Sequence, residues 1–314
     1  MSAPMKVLVT CPPMLGLFDE FRDDFAVAGL EGVPAAVTQV MTEDELIETL
    51  PSYDGWIIGD DPASARVFDA ARKGALKAAV KWGVGVDNVD FAACERLGIP
   101  VTNTPGVFGR EVADVAMGYV LGLARHTYEI DRAIRNDRTW PKPPGISLWN
   151  KTAALVGFGD IGRAAARRLL AADLTVIAYD PYFKPAAGLD VETAPWPTRL
   201  EEADFLVFTC PLTPETEHMF NADILPRLKP GVRIVNVARG PIIDETALVA
   251  GLDSGIIHSA ALDVFEDEPL AADNPLRRFP NTIFGSHNGS NTIDAVRHVS
   301  RLAISKMADF LKTP

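Results

Sequence analysis

A glycine-rich turn between two apolar segments constrains the fold of this chain more than any other feature. The first apolar segment, 154–156, leads into a G-x-G-x-x-G pattern at 157–162, and a segment typical of a helix follows at 163–170. The second apolar segment, 174–179, ends at Asp180. This order predicts a strand, a tight turn, a helix and a parallel strand, which together begin a doubly wound α/β sheet.

Each glycine of this pattern has a physical task in holding a dinucleotide. Gly157 permits the tight turn, Gly159 lets a pyrophosphate approach the backbone, and Gly162 lets the helix lie close to the strand. The helix N-terminus offers N–H groups and a positive dipole end to the phosphates. The pattern alone also occurs in ordinary turns, but the flanking strands and helix favour a dinucleotide site.

Asp180 indicates which dinucleotide binds. A carboxylate about 20 residues after the glycines accepts hydrogen bonds from the ribose hydroxyls of NAD and repels the 2′-phosphate of NADP. The next residues, 181–183, include no arginine that could bind such a phosphate. The sequence therefore predicts NAD. The alternative for Asp180 is a solvated residue at a strand end with no role in binding.

Composition limits the classes of function. At 314 residues the chain is long enough for two domains, and a net charge of −12 argues against broad binding to nucleic acid or anionic membranes. No apolar run approaches the roughly 20 residues of a membrane helix, and the first residues do not predict a signal peptide. Cys11, Cys94 and Cys210 show no metal-ligand spacing, so we expect no metal and reduced thiols in a cytoplasmic protein.

The N-terminal third alternates between segments typical of strands and of helices. Such alternation predicts a parallel sheet with helices on both faces. Thr42 and Glu45 form a capping box that opens a helix through Leu50, and another helix is predicted at 18–30. The predicted strands are 6–10, 35–40, 56–58, 78–80 and 100–102.

A hinge at 104–106 and a long helix at 110–126 are predicted next. The wide apolar surface of this helix, with Gly118 and Gly122, fits packing against another domain or subunit; an ordinary amphipathic core helix is the equal alternative. The later strands are predicted at 204–209, 233–237, 259–263 and 282–284.

A final helix at 292–311 is predicted to pack back on the first domain and make it discontinuous. The predicted fold is α/β with two doubly wound parallel-sheet domains. Residues 1–104 and 288–314 form a flavodoxin-like substrate domain, and a Rossmann NAD-binding domain, residues 105–287, is inserted in it.

Arg239, Glu268 and His287 each follow a predicted strand of the second domain. Because ligands bind at the carboxyl ends of strands in open α/β sheets, all three are expected at the cofactor crevice. Arg239 can bind a carboxylate and polarise the adjacent carbonyl. His287 can exchange a hydroxyl proton, and Glu268 can fix the imidazole tautomer. Singly, these residues also fit a structural arginine, a structural histidine and a solvated acidic loop; together they favour hydride transfer on a hydroxy or keto acid.

With these motifs, the chain resembles the D-2-hydroxyacid dehydrogenase family, and most closely its phosphoglycerate dehydrogenase-like members without a C-terminal regulatory domain. The matching segments occur in the family's order and extend over nearly the whole chain. They are 83–90, 103–106, 157–162, 211–216, 236–240, 263–269 and 286–287.

The resemblance implies an NAD-dependent oxidoreductase acting on a D-2-hydroxy acid or its 2-keto acid. Arg239 would bind substrate, and His287, with Glu268 as its partner, would be the general acid–base. The substrate carboxylate would meet the N–H groups of Val84 and Gly85. The resemblance also implies a homodimer formed through the long helix after the hinge. The implied cofactor contacts are Asp160, Ile161, Cys210, Val237, Ala238 and, beside the nicotinamide amide, Asp263.

Departures from the family pattern bear on the substrate. Asp60 and Asp61 stand where phosphoglycerate dehydrogenases carry a phosphate-binding arginine, and Trp82 replaces a small residue. Two carboxylates repel a phosphate unless a cation such as Lys81, a candidate substrate-binding residue, compensates. We therefore expect an unphosphorylated D-2-hydroxy acid. The alternatives are phosphoglycerate dehydrogenase proper and an NAD-sensing corepressor; the structural alternative for the two aspartates is capping of the helix near Ser64.

Overall fold

The structure is a computed structural model that describes residues 3–312. Within them the chain forms two compact units. The first contains the residues up to Phe108 together with those from Asn291 onward, and the second contains Gly109–Ser290. The division of function between residues 1–104 with 288–314 and residues 105–287 stays a prediction.

The first unit begins with a five-stranded parallel sheet. Its strands are β1 (Met5–Val9), β2 (Leu30–Pro34), β3 (Gly55–Ile58), β4 (Ala78–Lys81) and β5 (Val101–Asn103). Its first helices are α1 (Pro12–Leu15), α2 (Arg22–Ala28), α3 (Glu43–Thr49), α4 (Ala65–Arg72) and α5 (Phe91–Leu97). The strand order β2-β1-β3-β4-β5 is that of flavodoxin-like folds. Strands β3 and β4 are buried throughout, as expected of a sheet covered on both faces.

The second unit contains a seven-stranded parallel sheet. Its helices are α6 (Gly109–Arg125), α7 (Thr127–Arg132), α8 (Asp160–Ala171) and α9 (Glu245–Asp253). Its strands are β6 (Thr152–Val156), β7 (Thr175–Tyr179), β8 (Glu192–Thr193), β9 (Phe205–Phe208), β10 (Val232–Asn236), β11 (Ile257–Leu262) and β12 (Ile283–Phe284).

The strand order of this sheet is β12-β11-β10-β9-β6-β7-β8. The chain builds outward from β6 in one direction through β7 and in the other through β9, so the order reverses between β6 and β9. Ligands of open α/β sheets bind at the carboxyl ends of strands at such a reversal. The order is that of a Rossmann fold, and the two parallel sheets confirm the predicted fold class.

The chain ends in α10 (Ile293–Lys312), which packs on α1, α2, β3 and β4 of the first unit. Its buried residues recur at helical spacing, so one apolar stripe faces the sheet. Gly55 leaves room for this contact, because a Cβ there would lie 2.6 Å from Met307 Sδ. The prediction that the last helix returns to the first sheet is confirmed.

One prediction near the N-terminus is wrong. The helix predicted at 18–30 is present, as a 3₁₀ turn at Phe18–Phe21 that continues into α2, and it ends at Ala28; the strand predicted at 35–40 is instead β2. Gly29 adopts φ 77° and its N–H caps the last turn of α2, so the chain enters the strand at once. Pro34 is tolerated because β2 is an edge strand.

The capping box of α3 is confirmed. The Thr42 hydroxyl accepts a hydrogen bond from the Glu45 N–H at 3.3 Å, and the Glu45 carboxylate accepts one from the Thr42 N–H at 2.8 Å. Two N–H groups that a helix start leaves unpaired are thus satisfied.

Candidate active site

The turn between β6 and α8 has the geometry that its glycines predict. Gly157 has φ 94°, and a Cβ there would lie 2.7 Å from the Cys210 backbone nitrogen, just after β9. A Cβ at Gly162 would overlap the carbonyl oxygen of Gly157. At Gly159, apart from the glycine itself and its two neighbours in the chain, no heavy atom of the described residues lies within 4 Å of a Cβ built there. This space at the N-terminus of α8 fits a pyrophosphate.

Asp160 and Ile161 form the first turn of α8. The Asp160 carboxylate lies against Gly109, the first residue of α6, so closely that a Cβ on Gly109 would overlap it. A carboxylate side chain repels a phosphate, whereas N–H groups at a helix start attract one. The predicted contact of these two residues with a pyrophosphate would therefore be made through their backbone.

Asp180 follows β7 and holds the glycine turn. Its Oδ2 accepts a hydrogen bond from the Phe158 N–H at 2.7 Å, and its Oδ1 accepts one from the Tyr182 N–H at 2.8 Å. Each carboxylate oxygen has two lone pairs, so both retain acceptor capacity for ribose hydroxyls. Asp180 thus has a structural task, and its contact with ribose stays a prediction.

Cys210, Val237 and Ala238 follow β9 and β10 and are buried. Burial raises the pKa of the Cys210 thiol to about 12, so it is a neutral thiol at physiological pH. With their side chains in the core, these residues have backbone atoms to offer a cofactor, as the resemblance implies. The contacts themselves stay a prediction.

Arg239 leaves the carboxyl end of β10 in an extended conformation that Asn236 fixes. The buried Asn236 amide donates to the Arg239 carbonyl at 2.9 Å and accepts from the Ala238 N–H at 3.0 Å. Gly240 then packs against the Phe265 backbone with no room for a Cβ. Asn236 was not among the predicted site residues; its signal is a polar residue that ends an apolar strand.

His287 and Glu268 form a hydrogen-bonded pair. His287 Nδ1 lies 2.7 Å from Glu268 Oε2, and each side chain is 26% exposed. The other carboxylate oxygen of Glu268 accepts from the Phe265 N–H at 2.9 Å. His287 has φ 56°, a left-handed conformation that costs a non-glycine residue about 1–3 kcal/mol. With its proton on Nδ1, the imidazole exchanges a proton through Nε2.

Asp263, directly after β11, holds the loop of His287. Its carbonyl accepts from the His287 N–H at 2.7 Å, and its buried carboxylate accepts from the Gly289 N–H at 2.8 Å. The Asn288 N–H and the Tyr119 hydroxyl donate to the same carboxylate, each at 3.3 Å. Burial, with the adjacent Asp263 charge, raises the pKa of Tyr119. The predicted contact of Asp263 with a nicotinamide amide would share a carboxylate that already orients this loop.

Lys81 ends β4 in the first unit, and its side chain is only 3% exposed. Its Nζ lies 2.9 Å from the carboxylate of Asp60, which is 47% exposed, and it also donates to the Gly59 carbonyl. The ammonium group is thus already paired inside the unit.

The loop after β4 carries Val84 and Gly85. The Thr104 hydroxyl accepts from the Gly83 N–H at 2.8 Å, and the Asn103 amide donates to the Val84 carbonyl at 2.8 Å. These contacts fix the loop backbone to the end of β5. Binding of a substrate carboxylate by the N–H groups of Val84 and Gly85 stays a prediction.

Asp61 is buried and joins three segments of the first unit. Its Oδ1 accepts from the Met41 N–H at 2.9 Å, and its Oδ2 accepts from the Gly59 N–H at 3.0 Å and from the Thr10 hydroxyl. Burial raises the pKa of this carboxyl. The N-cap residue of α4 is Ser64, so the alternative that Asp61 caps this helix is wrong.

Within residues 3–312, no three His, Cys, Asp or Glu side chains lie together in a group that could hold a metal ion. Nor does any helix there combine the length and apolar content that crossing a bilayer requires.

Comparison with known proteins gives consistent matches. Residues 117–289, more than half of the chain, match the family described as D-isomer specific 2-hydroxyacid dehydrogenase, NAD binding domain. The hydroxypyruvate reductase of Thermotoga maritima is 36% identical over 272 residues, which cover 85% of this chain and 88% of that protein. The D-3-phosphoglycerate dehydrogenase of Archaeoglobus fulgidus is 33% identical over 313 residues, 98% of this chain but 58% of that protein.

The fold is also that of a solved structure. The crystal structure of the TT0316 protein from Thermus thermophilus matches with a TM-score of 0.86 and 32% sequence identity. The match covers 98% of this chain and 97% of that one. Similarity therefore extends over nearly the whole chain.

Proposed function

Because this chain belongs to the D-isomer specific 2-hydroxyacid dehydrogenase family, we propose that Arg239, Glu268 and His287 catalyse its NAD-dependent hydride transfer. The observation that carries this proposal is the 2.7 Å contact between His287 Nδ1 and Glu268 Oε2, in the unit that contains the glycine turn. An imidazole oriented in this way suits the exchange of one proton with the substrate oxygen.

In the direction of reduction, a 2-keto acid becomes a D-2-hydroxy acid. Bound NADH supplies the hydride that adds to the carbonyl carbon. His287 donates a proton from Nε2 to the carbonyl oxygen, which becomes the hydroxyl, while Glu268 stabilises the imidazole through Nδ1. Arg239 binds the substrate carboxylate and polarises the carbonyl.

We assign the cofactor to the glycine turn and the strand ends around it. Two observations support this assignment of the cofactor: the space at Gly159, which a Cβ would occupy, and the position of Asp180 directly after β7. Asp180 binds the ribose hydroxyls and favours NAD over NADP. The remaining assigned residues are Gly157, Asp160, Ile161, Gly162, Cys210, Val237, Ala238 and Asp263.

As substrate we propose an unphosphorylated 2-keto acid such as hydroxypyruvate, which the name of one relative contains. The support in this chain is the pair of Lys81 with Asp60, which offers a phosphate no net positive charge. The N–H groups of Val84 and Gly85 bind the substrate carboxylate, and Lys81 is assigned to the same substrate site. A phosphorylated acid, as in the name of another relative, is disfavoured by the same pair.

A panel of 2-keto acids tests the substrate class. Hydroxypyruvate, glyoxylate and phosphohydroxypyruvate are compared by the loss of NADH absorbance, with NADPH in parallel. We expect kcat/KM for the best unphosphorylated acid to exceed that for phosphohydroxypyruvate by about tenfold or more. A preference for phosphohydroxypyruvate would refute the assignment of the substrate, and Asp60→Ala should reduce the discrimination.

We also propose a homodimer formed through segment 121–149. Helix α6 packs on α8, β10 and β11 of its own unit, so its buried face is already covered. Large apolar side chains nevertheless remain exposed from the second half of α6 to residue 149. An exposed apolar patch of this kind is typical of an association surface. The exposed side chains are Leu121, Tyr128, Ile134, Trp140 and Trp149.

Sedimentation tests the dimer. At micromolar concentrations the mass should be twice 33.9 kDa, and Trp140→Ser should shift the equilibrium toward the monomer. A mass of 33.9 kDa at every concentration would rule the dimer out.

We place the protein in the cytoplasm. Cys11, Cys94 and Cys210 are unpaired and buried, which is typical of proteins in a reducing compartment. Cell fractionation should recover the enzyme with the cytoplasmic fraction. Recovery in a membrane, periplasmic or extracellular fraction would contradict this proposed location.

A further inference from the structure

A second histidine–carboxylate pair lies beside the proposed catalytic pair. Nε2 of His218 is 2.7 Å from Oε1 of Glu266, and Glu266 precedes Glu268 by two residues in the same loop. The two side chains are 49% and 31% exposed. Neither residue has a part in the proton transfer proposed above.

His218 connects segments that follow three different strands. It lies in the segment after β9, and its backbone N–H donates to the Pro241 carbonyl at 2.7 Å, in the turn that follows Arg239. Its imidazole contacts Glu266, in the loop after β11. His218 also has φ 46°, a left-handed conformation that these two contacts stabilise against its steric cost.

The backbone around Glu266 links the contact of His218 with Glu266 to the side chain of Glu268. The Phe265 N–H donates to Glu268 Oε1 at 2.9 Å. Gly240 packs so closely on Phe265 and Glu266 that a Cβ would overlap their backbone. From the other side, the Glu266 N–H donates to the carboxylate of Glu245 at 3.0 Å, at the start of α9. The conformation of Glu268 therefore depends on a loop that His218 helps to hold.

We propose that His218 and Glu266 are positioning residues, which hold the loop of Glu268 against the turn of Arg239. This inference rests on the roles proposed for Glu268 and His287. An exposed ion pair contributes little to global stability, whereas a small displacement of a catalytic group lowers turnover strongly. The effect of the pair should therefore appear in kcat rather than in Tm.

The test compares His218→Ala and Glu266→Ala with conservative and control variants. His218→Gln keeps a donor near the position of Nε2, and Glu266→Gln keeps an acceptor. Lys229→Ala is the matched control, because Lys229 pairs with Asp204 at 2.9 Å and is 40% exposed. That pair precedes β9 and β10, at the amino ends of these strands, whereas Glu266 and Glu268 follow the carboxyl end of β11.

We expect both alanine variants to lower kcat for hydroxypyruvate, or for the best acid of the panel, by roughly fivefold to fiftyfold. KM, Tm and the Kd of NADH, measured by fluorescence, should stay close to those of the wild type. His218→Gln should recover most of kcat, and Lys229→Ala should not change it. The double alanine variant should be no slower than either single variant, because both remove one contact.

The proposal is overturned if His218→Ala has the kcat of the wild type, or if His218→Gln is as slow as His218→Ala. If His218→Ala does not fold, Glu266→Ala against Glu266→Gln decides the same question. A readout without substrate is the 15N resonances of the His287 imidazole, which should move in His218→Ala and stay in Lys229→Ala. Retained turnover in His287→Ala would instead refute the proposed function itself.

Discussion

His287 is fixed by contacts from more than one loop. Glu268 binds its Nδ1, the Asp263 carbonyl accepts its N–H, and the Asp263 carboxylate accepts the N–H groups of the next two residues. A left-handed backbone at a histidine persists when several contacts determine it. Contacts within the protein thus orient the imidazole, which is the arrangement that general acid–base catalysis needs.

Asp180→Ala should weaken NADH binding and reduce the preference for NADH over NADPH by about tenfold, because the ribose acceptor and the charge that repels a 2′-phosphate are both lost. The Kd values of both cofactors check this. Asp190→Ala, which removes another acid in the segment between β7 and β8, is the control. An unchanged cofactor preference would contradict the ribose role, and Tm reports the loss of the bonds to Phe158 and Tyr182.

Asp61→Asn should lower the free energy of unfolding by about 1–3 kcal/mol, because an amide N–H₂ would face a backbone donor in the core. Because the pKa of Asp61 is higher in the folded than in the unfolded protein, protonation of this carboxyl favours the folded state. Its contribution is therefore full below the pKa of the unfolded state and decreases as pH rises through that of the folded state. Urea unfolding at several pH values measures the difference between the variants, and equal stability throughout would contradict this assignment.

Single residues could be predicted from the sequence when their neighbours along the chain carried the signal. Glu268 and His287, with Arg239, each follow an apolar strand, and it is their joint occurrence at consecutive strand ends that predicts them as site residues. Tyr119 and His218 could not be found in this way, because their partners, Asp263 and Glu266, are distant in sequence. Only the packed sheet brings these pairs together.

At the scale of elements, the glycines in the turn from β6 to α8 fall into two groups, those that the fold requires and one that it does not. Gly157 and Gly162 are required by the fold, since a Cβ at either position meets backbone atoms. Gly159 is not, since its neighbourhood is open among the described residues. The fold therefore requires two glycines of this motif, and the third is the one that we propose leaves space for the pyrophosphate.

Gly159→Ala should leave Tm close to that of the wild type and weaken NADH binding by about tenfold or more, because the Cβ occupies the space assigned to the pyrophosphate. Gly162→Ala should lower Tm, because its Cβ overlaps the Gly157 carbonyl. Thermal unfolding with and without NADH distinguishes the two. Wild-type affinity in Gly159→Ala would show that the pyrophosphate lies elsewhere.

Elements with strong local signals were predicted well, and elements without them were not. The capping box at Thr42 and the final helix at 292–311 were both predicted, and both are confirmed. The strand β2 was placed too late, because Gly29 ends α2 directly before it and Pro34 argues against a strand. Its pairing with β1 supplies the hydrogen bonds that the local sequence does not indicate.

At the scale of the whole molecule, alternating strands and helices indicated two parallel sheets, and a family resemblance over nearly the whole chain agreed with them. The strand orders could not be derived from the alternation, since they depend on which strand each crossover returns to. The same holds for the pairing of Lys81 with Asp60, which are 21 residues apart in sequence.

The three thiols should be unreactive in the folded protein. All are buried, and burial raises the pKa of Cys94 and Cys210 to about 12 and that of Cys11 still further. A disulfide reagent at mildly alkaline pH should therefore react slowly with the native enzyme, and rapidly with all three cysteines in denaturant. Rapid reaction of one thiol in the native state would contradict the packing around it.

The pairing of His287 with Glu268 is the central claim, and single-turnover oxidation of bound NADH by a 2-keto acid tests it most directly. In His287→Ala the rate should decrease by about 10²–10⁴-fold, with the Kd of NADH nearly unchanged. A variant that turns over at the wild-type rate, or that loses NADH binding instead of turnover, would show that the imidazole is not the group that supplies the proton.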